Sequence, residues 1–172
     1  MLQFDENEFA AYYKPYIMTL AENGKGIIDN MIDSLDEILS TLNSISEAKQ
    51  MYRYADGKWT IKELVQHIID TERVFAYRAL RFARRDTTNL PGFDQDEFNT
   101  TANANARNFE ELLEELSLVR KSSISLFRSF DDDTLKLIGT ASNSGMSVRA
   151  TGYIISGHAL HHLAVLKDRY LQ

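Results

Sequence analysis

Proline is nearly absent. A chain of 172 residues carries only Pro15 and Pro91, and most of the rest shows apolar residues at helical spacing. A helix interior tolerates proline badly, because the ring removes an amide donor and clashes with the preceding turn. Long stretches without it, apolar at i, i+3, i+4 and i+7, predict amphipathic helices. Sustained two-residue alternation is rare. The chain reads as an all-α domain of a size that can bury a core without staples.

The first segment, about residues 6–20, is aromatic and short, and Pro15 is expected to limit or kink it. After Asn23-Gly24-Lys25-Gly26, a helix is expected over about 27–42, with Met31, Leu35, Ile38 and Leu42 on its apolar face. Thr60 followed by Glu63 is a capping-box pattern with Trp59 at the staple position. The helix it starts should continue to about residue 83. Residues 84–99, including Leu90-Pro91-Gly92-Phe93, read as a long connection. A third long helix is expected over about 104–129. Residues 131–146 read as turn-rich, and Ser147 caps a last helix through Tyr170. Four long helices and a short N-terminal one predict a four-helix bundle. The chain reads as one domain, 1–172, with residues 1–26 an extension packing on the bundle.

Lys plus Arg is 19 and Asp plus Glu is 25, a formal charge of −6. That balance argues against a phosphate-binding surface, and the Arg81/Arg84/Arg85 cluster is too small to reverse it. No nucleic-acid partner is expected. The absence of cysteine rules out disulfides, thiolate ligands and a cysteine nucleophile. Any thiol chemistry needs a borrowed thiol. The beginning MLQFDENEF is acidic, and no run of 18 apolar residues occurs. Neither a signal peptide nor a membrane span is expected, so the chain reads as cytoplasmic without a membrane partner.

The polar residues that stand out are histidines: His67, His158, His161 and His162. At about 100° per residue, His158 and His162 lie about 40° apart on the last helix. Val148, Thr151, Ile155, Val165 and Leu166 share that face. Two imidazoles so spaced can converge on one metal ion. A pair at this spacing also arises by chance, and a buried histidine can simply be hydrogen-bonded. His161 points away, toward a supporting or surface position. His67 lies on a polar seam with Thr60, Thr71, Val74 and Arg78, beside the apolar stripe of its helix. That seam either lines a cavity, where buried polar groups demand partners, or faces solvent. Neither His-Glu-x-x-His, paired bundle carboxylates nor Gly-x-Ser-x-Gly occurs.

The run YADGKWTIKELVQHIIDTER, Tyr54 to Arg73, closely resembles the first signature of the DinB-like superfamily of damage-inducible four-helix-bundle proteins. VFAYRALRFAR (74–84) and LPGFD (90–94) resemble one branch of it, while SVRA (147–150) and GHALHHL (157–163) match its second signature. The resemblance covers roughly residues 30–171. It implies an up-down-down-up bundle, frequent homodimers, and a divalent metal on one histidine of the second long helix and two of the last. Those map onto His67, His158 and His162. Nickel and zinc are the metals the resemblance favours, without choosing between them. Ala159-Leu160 departs from the Glu-Arg common in similar sequences, so a polar contact behind the ligands is expected to be missing.

The superfamily includes S-transferases that use bacillithiol, mycothiol or glutathione. The leading expectation is therefore a metal-dependent S-transferase with a low-molecular-weight thiol cosubstrate and a small-molecule substrate. The alternatives are a hydrolase in which the ion activates water, and a metal- or ligand-binding stress protein that turns nothing over. Asp70 and Arg78 are the candidate catalytic residues, Asp70 as a base or as acceptor of a ligand-histidine proton. Arg78 and Arg81 are candidates for binding substrate carboxylates, against the alternative of salt bridges. Trp59 and Phe93 are candidate pocket walls, against a core or staple role.

Overall fold

The computed structural model describes residues 3–172. In chain order its helices are α1 (Lys14–Ala21), α2 (Ile27–Leu42), α3 (Ile61–Ala83), α4 (Gln95–Thr101), α5 (Phe109–Arg128), α6 (Asp132–Leu135) and α7 (Val148–Val165). A two-stranded antiparallel hairpin, β1 (Ile138–Ala141) and β2 (Ser144–Ser147), precedes α7. A π-helical turn, Leu166–Tyr170, extends α7. None of the described helices is long and apolar enough to cross a membrane.

Four long helices form the bundle: α2, α3, α5 and α7. Near the starts of α3 and α5, Lys62 Nζ donates to the Arg107 carbonyl, and Arg120 meets Glu72 further along both. Those two helices are therefore parallel. The Tyr170 hydroxyl donates to the Trp59 carbonyl, so the end of α7 lies at the start of α3 and the pair is antiparallel. Arg120 also reaches the Met31 carbonyl in α2, while Phe109 at the start of α5 shares a core cluster with Leu35, Ile38 and Leu42 of α2. Ile27 abuts Gly152 where α2 and α7 both begin. The directions are up-down-down-up, with α2 opposite α3 and α5 opposite α7 across the bundle. The all-α bundle expected from the periodicity is the fold observed.

Local signals explain most helix starts. Thr60 and Glu63 make the complete capping box, and Ser147 accepts from the Ala150 amide to cap α7. Asn108 caps α5, which begins at Phe109 rather than near residue 104. Ahead of it Ala104–Ala106 forms a 3-10 turn, entered from Asn103 in the left-handed region. Pro15 does not kink α1. It sits in the first turn, where its missing amide would have had no partner. The hairpin was not foreseen: Ser142 and Asn143 both have positive φ, the geometry of a tight two-residue turn.

Two core clusters lie at opposite ends of the bundle. Helix α7 is buried continuously from Ala150 to Ala159, because α1, α2 and α3 all pack on it. That is why its sequence is weakly amphipathic. Between the clusters, Arg120 and Glu72 form a buried ion pair, and Arg120 also donates to Ser34.

Candidate metal centre

Helical geometry brings the three histidines together. His67 lies in the second turn of α3, and His158 and His162 lie one turn apart near the end of the antiparallel α7. Their Nε2 atoms form a triangle with sides of 3.0 Å (67–158), 3.1 Å (67–162) and 3.0 Å (158–162). His67 and His158 are buried and His162 is half-buried. Burial holds all three imidazoles in the neutral form: His67 is pulled down to about 4, His162 to about 3, and His158 well below its ordinary value. For His158 and His162 the neighbouring imidazoles add to that effect. Neutral imidazole is the form that ligates a metal.

This triangle suits a cation. A hydrogen bond pairs an N–H with a lone pair, so three mutually adjacent Nε2 atoms must leave at least one like-with-like edge. An ion taking all three lone pairs removes the conflict. Ligands about 2.0–2.1 Å from a shared ion stand about 3 Å apart when the bond angles are near 95°. The residues present fit a divalent metal, which His67, His158 and His162 would hold.

Behind the Nε2 atoms the support is sparse. Thr71 Oγ1 stands 3.5 Å from His67 Nδ1, at the limit of a hydrogen bond, and His162 Nδ1 is buried without a partner. Ala159 is buried and Leu160 is half-buried, so these two positions supply no polar contact. Trp59 packs its ring 4.7 Å from that of His67, centroid to centroid. His161 is exposed, with its ring 5.3 Å from Tyr16 and 5.2 Å from His162.

Two cavities meet at this centre. The larger, about 390 Å³, is bounded by all four histidines, Thr71, Phe75, Arg78, Phe93 and Tyr12, Tyr13 and Tyr16. The other, about 330 Å³, lies among Tyr54, Lys58, Trp59, Asp96 and Tyr170. His162 and Gln95 border both. On α3, His67, Thr71, Phe75 and Arg78 follow one another at i, i+4, i+8 and i+11, so one helix face runs along the larger cavity. The polar seam read from the sequence lines a cavity instead of facing solvent.

The other candidate residues separate clearly. Arg78 and Phe93 line the larger cavity and Trp59 the smaller. Asp70 lines neither: it accepts from Gln66 Nε2 at 3.0 Å and neighbours Arg73. Burial raises its carboxyl, an effect only partly offset by the Gln66 bond. Thr71, not Asp70, stands beside the His67 ring. Arg81 is also elsewhere, bonded to Asp86 and the Tyr77 hydroxyl. The three N-terminal tyrosines were missed. Their signal was Tyr12-Tyr13 and Tyr16 around Pro15, on a segment with too few turns to show a clear face.

Residues 31–166 match the family model of the DinB superfamily. The chain belongs to the DinB superfamily. A protein of Oceanobacillus iheyensis, provisionally named a metal-dependent hydrolase, is 27% identical over 129 residues, covering 74% of this chain and 73% of its own. Among solved structures, YfiT of Bacillus subtilis superposes with a TM-score of 0.68 at 18% identity, over 82% of this chain and 84% of that one. YfiT is described as having an unusual four-helix bundle topology and is also provisionally assigned as a metal-dependent hydrolase. The DinB match begins at residue 31, so the segment carrying Tyr12, Tyr13 and Tyr16 lies outside it.

Proposed function

We propose that this DinB protein is a metal-dependent S-transferase that joins a low-molecular-weight thiol to a small electrophile. The observation that carries the reading is the meeting of two cavities at His162 and Gln95. One cavity suffices when water is the second reactant. Two suit two organic substrates that approach the same centre from different sides. Nickel or zinc on His67, His158 and His162 fits the imidazole donor set. When bound, such an ion supplies the Lewis acidity that turns a thiol into a thiolate near neutral pH.

The chain's own residues then bind and orient. Neutral His67, His158 and His162 present three lone pairs held by packing against Trp59 and Tyr16. Trp59 and Tyr170 wall the smaller cavity, with Lys58 at its edge as a cation for an acidic thiol such as glutathione or bacillithiol. Among the described residues, no carboxylate borders the larger cavity. A thiol, far more acidic than water, needs no such base. A cysteine-free chain dependent on an abundant small thiol also suits the cytoplasm. Exposed Tyr77 and Leu80, one turn apart on α3, are the apolar surface we assign to a homodimer.

Hydrolysis is the second reading, favoured by the names of the two relatives. Purified protein loaded with nickel or zinc is to be assayed with an aryl halide plus glutathione, cysteine or bacillithiol, and in parallel with p-nitrophenyl acetate without thiol. Metal-dependent thioether formation supports transfer. Metal-dependent ester cleavage with no thioether product would establish the hydrolase instead.

A further inference from the structure

Two arginines are almost wholly buried, Arg78 at 2% exposure and Arg120 at 0%. Arg120 has its carboxylate, with Nε 2.9 and 3.0 Å from the two Glu72 oxygens. Arg78 has none. Among the described residues, no Asp or Glu forms an ion pair with it. Its Nη2 donates to the Pro91 carbonyl at 3.1 Å and to Ser142 Oγ at 3.2 Å. Its guanidinium carbon lies 5.1 Å from the Phe75 ring centre and 6.0 Å from that of Phe93. Two neutral acceptors and two rings orient the group without neutralising it, and a buried charge left so is costly.

What faces this cation is the larger cavity, shared with the three histidines. Eleven residues along α3 separate His67 from Arg78, about three turns, so both project from one face. The arginine side chain leans back toward the N-terminal end of its helix, toward the histidines. From the sequence the alternative was a salt bridge; the fold supplies none.

We infer that Arg78 is the anchor for a carboxylate on the substrate, and that the substrate class is a small organic acid. The planar fork of a guanidinium offers paired donors that match a carboxylate. Nη2 is already engaged by Pro91 and Ser142, and the Tyr13 hydroxyl, on the same cavity wall, faces the guanidinium and can join it in holding an acid. One cation fits one negative charge, which favours a carboxylate over a phosphate dianion. Phe75 and Phe93 flank the anchor and suit an apolar or aromatic body attached to the acid. The inference takes the three-histidine centre as the reacting end of the cavity, but its own test does not depend on turnover.

Benzoate and its neutral counterpart benzamide are the probes, titrated by NMR or calorimetry into wild type, Arg78→Met and Arg78→Lys, each with and without bound nickel. Wild type should bind benzoate in both states and prefer it to benzamide. Arg78→Met should weaken benzoate by about 10- to 100-fold, in line with the loss of charged hydrogen bonds, and leave nickel affinity unchanged. Arg78→Lys should recover part of the loss. Benzoate binding that vanishes with the metal but survives Arg78→Met would place the acid on the ion and overturn the anchor. Inorganic phosphate binding more tightly than benzoate would overturn the assignment to carboxylates. Unfolding of both variants would make Arg78 a structural strut and also end the proposal. Loss of nickel binding in wild type would instead strike at the metal reading.

Discussion

Nε2 of His67 and Nε2 of His158 stand 3.0 Å apart although ninety-one positions separate them in the chain. Nothing local produces that approach. It follows from α3 and α7 running antiparallel with their histidine-bearing turns at the same level, and His162 completes the triangle one turn on. His67→Ala, His158→Ala and His162→Ala should each weaken nickel and zinc binding by more than about 100-fold, since the partners behind metal ligands are alone worth about 10- to 100-fold. His161→Ala should bind like wild type. Calorimetric titration of variants with wild-type helicity by circular dichroism provides the check. A large loss with His161→Ala and none with His67→Ala would refute the ligand set.

The same burial that keeps the imidazoles neutral gives the metal-free protein a pH dependence. Each folded-state value lies below the ordinary histidine value of 6.5. Between the folded and unfolded values, the unfolded chain therefore binds more protons. Stability is complete above about pH 6.5 and falls as the pH drops toward 4. For His67 alone, brought down to about 4, the loss is on the order of 3 kcal/mol across that window. Urea titrations of metal-free protein at pH 7, 6 and 5 should show it, with a shallower slope in His67→Gln. A flat profile from 7 to 5 would mean that the rings are hydrated.

The bundle was legible because its long helices carry strong periodicity and explicit caps, Thr60 with Glu63 and Ser147 above all. The hairpin was not, since β1 and β2 are four residues each and β2 reads Ser-Gly-Met-Ser, with no alternation to read. At the site, helical spacing puts His158 and His162 on one face and His67 in line with Arg78, but that His67 joins the other two was implied by the family resemblance, because the approach of α3 to α7 is not local. Tyr13 and Tyr16 do not follow from spacing, because their place on the cavity depends on how α1 lies across α7. Asp70 was a candidate for its chemistry alone, and only the neighbouring Gln66 and Arg73 show where its carboxylate is held.

Arg120 and Glu72 give the bundle centre an ion pair whose members are 0% and 2% exposed. Desolvating both charges costs much of what their attraction returns, so the pair as a whole adds little stability. Removing one partner is different. Glu72→Ala leaves the guanidinium with Ser34 and the Met31 carbonyl and should cost about 3–5 kcal/mol. The double variant Glu72→Leu/Arg120→Met should recover most of that loss. Chemical denaturation of the three proteins decides it. Equal destabilisation by the single and double variants would show that the hydrogen bonds to α2, not the charge balance, hold this layer.

At Gly157 the backbone of α1 comes directly against α7, which ties the N-terminal segment to the cavity wall. A Cβ there would overlap the backbone carbonyl of Tyr16, which cannot rotate away as a side-chain tip could. Elsewhere in a helix, glycine to alanine adds up to about 1 kcal/mol of stability. Here the overlap forces α1 outward, and overpacking of this kind costs about 1–3 kcal/mol. Gly157→Ala should therefore leave α3 and α7 intact, keep nickel affinity near wild type, and displace Tyr13 and Tyr16 from the larger cavity. Hydrogen exchange should quicken in residues 14–21 and not in 61–83, and benzoate should bind more weakly. Unchanged exchange in α1 would mean that the segment shifts as a unit to accept the methyl group, and that its fit against Gly157 does not set the wall.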